Sequence, residues 1–254
     1  VSGGYGTQRN EPDEPSPEER AERRAEALDI LVRGDDKAFV RFTEDTPVEG
    51  LDLRGMDLRS RDLRGAVLTA ADLREAQLEG AMLQGAVLED VDLRATPLRG
   101  IDMSGAVLCG AELDGANLDG ANLRNCDLEC AALTEARLKG ADLRSARVVG
   151  AELSAVFAQE ADLRDIVCGG FVSGGVWVET TALSADFRRA DLRGVELIGD
   201  FSGSDFREAD MRKIHLSRVR IRRGRFAGAR LQGLRFLEID LEGSDLDLSP
   251  ASGD

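Results

Sequence analysis

The chain of 254 residues has one histidine, one tryptophan and one tyrosine, and aromatic residues make up only 4% of it. So little histidine excludes most imidazole-dependent catalysis and histidine-rich metal sites. So few aromatics mean that a core must be built from small and medium aliphatics, which the 42% hydrophobic content supplies. Four cysteines in a chain this long do not make a disulfide framework and fit a reducing compartment, so a cytoplasmic protein is expected. No apolar run approaches the roughly 18 residues of a membrane span. The polar stretch Val1 to Pro17 does not read as a signal peptide. Bases are scarce beside acids, 33 against 48, and the net charge of −15 argues against direct binding to duplex DNA or to an anionic membrane. Walker loops, nucleophile elbows and dinucleotide fingerprints are absent too. A non-enzymatic protein without cofactor or metal is the expectation.

What the sequence does have is a five-residue register. Leucine recurs at Leu53, Leu58, Leu63, Leu68, Leu73 and onward to Leu98; Met103 substitutes once, and the register continues through Leu108 to Leu143, Val148, Leu153, Ala158 and Leu163. Two positions before each central residue stands a small one, as at Ala66, Ala71, Ala76, Ala81 and Ala86, with Asp or Asn commonly between them and Gly often closing the unit. A period of five fits neither the 3.6 of a helix nor the two of a strand. It describes a chain that turns a corner every five residues. Four such units close one coil of a four-sided solenoid, with the leucine and the small residue pointing inward and coils stacked about 4.8 Å apart.

Units such as Ala116-Asn117-Leu118-Asp119-Gly120 resemble the pentapeptide-repeat family, whose consensus is A-[D/N]-L-x-x, and the resemblance covers residues 49–248. It implies an all-β fold, a right-handed quadrilateral β-helix; the handedness comes from the family alone. After Leu163 the register weakens through Cys168 and Ser173, and the Gly-rich stretch within 164–182 reads as a decayed coil or as a loop budding from the solenoid. Four-residue steps are expected from Leu183 to Phe187 and from Leu197 to Phe201, and the total is about ten coils, a rod roughly 48 Å long at about 4.8 Å per coil.

The ends are read separately. Residues 1–15 are expected to be disordered. Residues 16–48 form an expected N-terminal α-helical cap: Ser16-Pro17-Glu18-Glu19 is a capping box, a helix runs to about Arg33, and a shorter one over Asp36 to Phe42 lays Phe39 and Phe42 on the first coil. Arg61 breaks the small-residue pattern there and is expected to meet an acid of the cap. No comparable helix follows Leu246, and 249–254 read as a C-terminal tail. Several members of the resembled family dimerise through their C-terminal ends with a final helix that this sequence lacks, so a monomer or a C-terminal-end homodimer is expected.

Residues one coil apart stack. Asp52, Asp72, Asp92 and Glu112 form one outward column, with Arg54, Arg74 and Arg94 two residues on, which reads as alternating ion pairs. Val67, Val87 and Val107 form another, a β-favourable ladder or a narrow apolar strip for a partner, and Phe157 is expected to align with Trp177 as an exposed aromatic contact. Between residues 79 and 135 stand 11 acids and 3 bases. The outward carboxylates Asp92, Asp102, Glu112, Asp114, Asp119, Asp127 and Glu129 are the candidate partner-binding surface. Residues 212–235 hold nine bases and no acid. Among them Arg218, Arg220, Arg222, Arg223 and Arg225 are a candidate second contact, for phosphate or an acidic partner, or else an intramolecular or dimeric complement to the acidic middle. His215 among these arginines lacks a nucleophile to serve, and Cys126 with Cys130 lacks further ligands for zinc.

The resemblance and the acidic rod together imply a DNA-mimicking protein that binds a type II topoisomerase, DNA gyrase or topoisomerase IV, and guards it against poisons. The alternative is a repeat scaffold or adaptor for protein–protein interaction without mimicry. One continuous acidic face favours the first; interleaved ion pairs favour the second.

Overall fold

In each unit the backbone runs straight for three residues and then turns. Leu53 N–H donates to Asp72 O and Asp72 N–H to Leu51 O, both at 2.9 Å, so the outward Asp between two inward residues makes a parallel bridge to the next coil. The corner follows: Met56 N–H donates to Leu53 O at 3.1 Å, and Gly55 within that turn has φ 63°. The left-handed corner explains the glycine that closes so many units. Ser60, Ala70 and Glu75 occupy the same corner at φ 55–62°, a conformation that side chains adopt at a cost of about 1–2 kcal/mol each. The inter-coil hydrogen bonds hold them there.

The structure, a computed structural model, describes residues 16–46, 48–168 and 176–246. Asp52 pairs with Asp72, Asp57 with Gln77, Asp62 with Met82 and Val67 with Val87, so four units make one coil and the solenoid has four faces, named here first to fourth in that order. The interior is continuous: central leucines such as Leu58, Leu83, Leu118 and Leu138, and the alanines two before them, are sealed from solvent. Toward the C-terminal side phenylalanines replace leucine. Phe187 and Phe206 stack with ring centroids 4.9 Å apart, and Phe206 and Phe226 at 5.2 Å.

Two helices lie against the first coil. Helix α1 (Pro17–Val32) starts at Ser16, whose hydroxyl accepts Glu19 N–H while Glu19 accepts Ser16 N–H in return. Helix α2 (Asp36–Asp45) buries Phe39 completely and packs Phe42 partly against the core. Arg61 pairs with Asp36 and donates to Leu31 O at 2.7 Å, and Thr43 Oγ1 accepts Val67 N–H at 3.1 Å. No helix among the described residues is long and apolar enough to cross a membrane.

The register departs from the expected one in the later coils. Phe157 bridges Thr181 and Asp162 bridges Asp186, so the coil containing the Gly-rich stretch takes 24 residues rather than 20. Its residues 169–175, Ser173 among them, lie outside the described residues. Ala182, fully buried, holds the central place expected of Leu183, which is 36% exposed at a corner. The four-residue step expected between Leu183 and Phe187 is therefore absent, because five residues separate Ala182 from Phe187. The other step is present: Leu197 and Phe201 are both buried. It coincides with a register shift at Gly199, whose φ of 136° lets its backbone pass so close to Thr180 that a Cβ would lie 2.1 Å from Thr180 O. Around these irregularities four parallel strands form one sheet in sequence order: β1 (Val176–Thr181), β2 (Glu196–Asp200), β3 (His215–Arg220) and β4 (Arg235–Asp240). Phe236 occupies an inward register position but is 55% exposed, against 4% for Phe226, because no described coil covers β4.

Candidate functional site

The outward surface is organised by one local device. In the tripeptide Asp52-Leu53-Arg54 the aspartate stands on the first face and the arginine at the following corner. Asp52 Oδ1 accepts Arg54 N–H at 3.3 Å and Arg54 Nε–H at 2.8 Å, and Arg54 Nη2 reaches Asp52 Oδ2 at 2.6 Å. The same fork recurs at Asp57/Arg59, Asp72/Arg74, Asp142/Arg144, Asp162/Arg164, Asp186/Arg188 and Asp205/Arg207. The side-chain hydrogen bond from the neighbouring arginine, helped by its backbone N–H, holds the Asp52 and Asp57 carboxyls down at about 2. Arginines also reach the next coil: Arg74 Nε lies 3.1 Å from Asp92 and Arg94 Nε 2.9 Å from Glu112, so the first face carries a zipper of alternating charge.

The candidate acids fall into this scheme individually. Asp92 on the first face is bound by Arg94 at 2.6 Å, and Glu112 above it shares the same guanidinium. Asp114, at the corner after the first face, accepts Thr134 N–H at 2.8 Å. Asp119, at the corner after the second, is paired with Arg137 at 2.8 Å. Asp102 on the third face accepts Ser104 N–H and Asn122 Nδ2–H, both at 3.0 Å. Asp127 on the fourth face and Glu129 beyond it share Arg147, at 3.6 and 3.0 Å. The seven carboxylates therefore ring the rod instead of lining one face, and most have a cation in contact. Sequence reasoning missed Arg137 and Arg147. Their signal is a spacing of 18, from Asp119 to Arg137 and from Glu129 to Arg147, which in a coil of 20 joins a corner to the face above it. Glu89, Asp90, Asp114 and Glu135 carry no ion pair among the described residues.

The basic stretch divides in two. Arg220 lies 3.0 Å from Asp200, Arg222 2.7 Å from Asp240, and Arg225 4.0 Å from Asp205. Their acids belong to adjacent coils, not to the acidic middle. Arg218 and Arg223 are exposed at left-handed corners, φ 47° and 56°, with no ion pair among the described residues. His215 Nδ1 stands 3.5 Å from Glu196.

The apolar candidates are rearranged by the longer coil. Val67, Val87 and Val107 do stack, half-buried, on the fourth face. Phe157, 44% exposed on the second face, is aligned with Thr181 and not with Trp177, whose backbone pairs with Leu197 on the first. The four additional residues separate the two aromatics by a face. Cys126 is buried, donates to Met103 O at 3.0 Å, and is pushed up to about 12 by burial, which makes it inert at neutral pH. No metal-ligating cluster occurs among the described residues.

No curated protein matches the chain significantly by sequence. Among solved structures, the chain is similar to HetL, a pentapeptide repeat protein involved in heterocyst differentiation regulation from the cyanobacterium Nostoc sp. strain PCC 7120. Identity is 29% over 77% of this chain and 89% of that one, with a TM-score of 0.49. It is also similar to a trypsin-treated variant of QnrB1, a plasmid-mediated fluoroquinolone resistance protein: 18% identity over 72% of this chain and 91% of that one, TM-score 0.39. A thylakoid-lumen pentapeptide repeat protein of Arabidopsis thaliana matches at 30% identity over 45% of this chain and 71% of that one, TM-score 0.19. The profile of the pentapeptide repeats matches in 8 copies, within residues 52–165 and 179–236. With the five-residue register and the four bridged faces, that match makes the chain a member of the pentapeptide-repeat family.

Proposed function

We propose that this protein is a non-enzymatic scaffold that binds other proteins along its rod, without imitating DNA. In this reading residues 16–48 are the cap of a right-handed β-helix of about ten coils over 49–248, acting in the cytoplasm. The observation that carries it is the Asp–Arg fork. A duplex presents unbroken rows of unpaired negative charge, whereas here Asp52, Asp72, Asp142 and Asp186 are neutralised in place by arginines two residues on, and in the middle coils Glu112, Asp119, Asp127 and Glu129 are met by Arg94, Arg137 and Arg147 from neighbouring coils. A surface of paired charges and isolated apolar side chains such as Phe157 and Leu183 suits protein partners.

A second reading, a DNA mimic acting on gyrase or topoisomerase IV, is favoured by the charge excess of the middle coils and by Glu89, Asp90, Asp114 and Glu135, which carry no ion pair among the described residues. The experiment that separates the two measures binding of immobilised protein to purified gyrase and topoisomerase IV across a salt series. It includes a variant with Glu112→Gln, Asp114→Asn, Asp119→Asn and Asp127→Asn. The scaffold reading expects no saturable topoisomerase binding. Salt-sensitive binding that the quadruple variant weakens would transfer the assignment to the mimic.

A further inference from the structure

Two of the large apolar side chains left exposed among the described residues are neighbours on one side of the rod. Phe157 is 44% exposed on the second face, and Leu183, 36% exposed, stands at the corner after that face one coil above. Further along, the same face is hollowed. Strand β2 passes from the first face to the second in four residues, Glu196 to Asp200, where β3 takes five, His215 to Arg220. The shorter path leaves a depression of about 530 Å³, lined by Gly199 and Val219 beside the charged Asp200, Arg220 and Asp240.

We infer that two copies of this chain lie side by side and antiparallel, second face against second face, about a two-fold axis that crosses the rod between Phe157 and Thr181. The second face runs in eight bridged coils from Pro97 to Asp240, and this axis is its midpoint. The rotation reverses height along the rod but keeps each corner on its own side. Every residue of a column therefore meets the residue equally far beyond the axis. On the face, Phe157 meets Thr181 of the second copy, and Arg137 enters the depression opposite Asp200. At the following corner the same count sets Gln159 against Leu183, Asp119 against Arg222 and Arg99 against Glu242. Asp119 and Arg137, 2.8 Å apart in one copy, thus cover Arg222 and Asp200 of the other with the signs reversed. The apolar side chains gather at the axis and the charges lie outside them, the arrangement of a protein interface.

Neighbouring registers fail on charge. Sliding one copy by a coil in one direction sets Arg99 against Arg222 and Glu79 against Glu242. Sliding it the other way sets Arg137 against Arg220 and Asp119 against Glu242. A parallel two-fold stacks Arg137 on Arg137 and Asp200 on Asp200. In the antiparallel register about the midpoint no like charges meet on the face or at that corner. Arg99 has no ion pair of its own among the described residues, and Glu242 keeps 74% of its side chain exposed beside Arg222. Eight coils at about 4.8 Å make a contact about 38 Å long, which with a face about 14 Å across buries on the order of 1,000 Å² over both copies, enough for a specific association. The contact is isologous, so it closes at two copies. Pairing of this kind rests on the scaffold reading in taking the surface around Phe157 and Leu183 for a protein contact. It is measured on the purified chain alone, so its failure leaves the topoisomerase comparison, and that reading, standing.

Sedimentation of the full chain is the test. At about 100 µM, wild type should run mainly at twice its 27.4 kDa mass. Phe157→Asp, at a side chain outside the solenoid interior, should keep the wild-type circular dichroism and stay monomeric. Arg99→Glu alone sets glutamate against Glu242 at both ends of the contact, and Glu242→Arg alone sets arginine against Arg99; each should weaken the dimer roughly tenfold. An equimolar mixture of these two variants restores both pairs and should return to wild-type affinity. A wild type that stays monomeric overturns the inference, as does a mixture no tighter than its components. A dimer indifferent to Phe157→Asp and Arg99→Glu is joined elsewhere on the rod and overturns it too.

Discussion

The contact between Arg61 and Asp36 offers a quantitative test of how the helices are fastened to the first coil. Arg61 occupies the inward small-residue position, and both side chains keep only about a fifth of their surface exposed, 19% and 20%. Asp36 accepts from the Arg61 guanidinium and from Asp62 N–H at 2.8 Å, while Arg61 also donates to Leu31 O. Asp36→Ala removes a charged hydrogen bond, about 1.5–3 kcal/mol, and strands a backbone donor and a largely buried cation. With residual water access the loss should be about 3 kcal/mol. Arg61→Ala restores the usual small residue and leaves Asp36 its bond to Asp62 and its place in the first turn of α2, so about 1 kcal/mol is expected. The double variant should lose about as much as Asp36→Ala alone, a coupling of about 1 kcal/mol. Because solenoids open from their ends, urea unfolding should be followed both by circular dichroism and by hydrogen exchange at the Asp62 amide. Additive effects, within about 0.5 kcal/mol, would refute the claim that these residues form one fastening.

Other expectations follow from the same geometry. Leu118 is fully buried in mid-stack, so Leu118→Ala should lower unfolding stability by about 2–5 kcal/mol in urea titration, and Leu118→Asp should yield no folded protein; a loss below about 1 kcal/mol would mean that the interior is loosely packed. The carboxyl of Asp52, held at about 2 against an ordinary 3.8, contributes stability that is complete above about pH 4 and lost as the pH falls through 2. Carboxyl NMR titration should find that midpoint in wild type and a higher one in Arg54→Gln; an unchanged midpoint would disprove the fork.

The five-residue register settled a great deal without coordinates. Leucine at 53, 58, 63 and onward cannot stay on one side of any regular helix or strand, so a four-sided coil with leucine and alanine inside follows from spacing alone, as does the glycine at the corners. Capping chemistry made α1 legible for the same reason: Ser16, Pro17 and Glu19 act on neighbours three residues away. What spacing could not reach was the consequence of an irregular coil. Once the Gly-rich stretch lengthens one turn to 24 residues, every later column shifts, so Ala182 displaces Leu183 from the core and Phe157 loses Trp177 as its neighbour. The surface charges divide along the same line. Asp52 with Arg54 is visible in sequence because both lie in one unit, whereas Asp119 with Arg137 exists only because the chain has climbed one coil between them. Composition therefore counted an acidic rod, and tertiary stacking decided which of its carboxylates were already held by arginine.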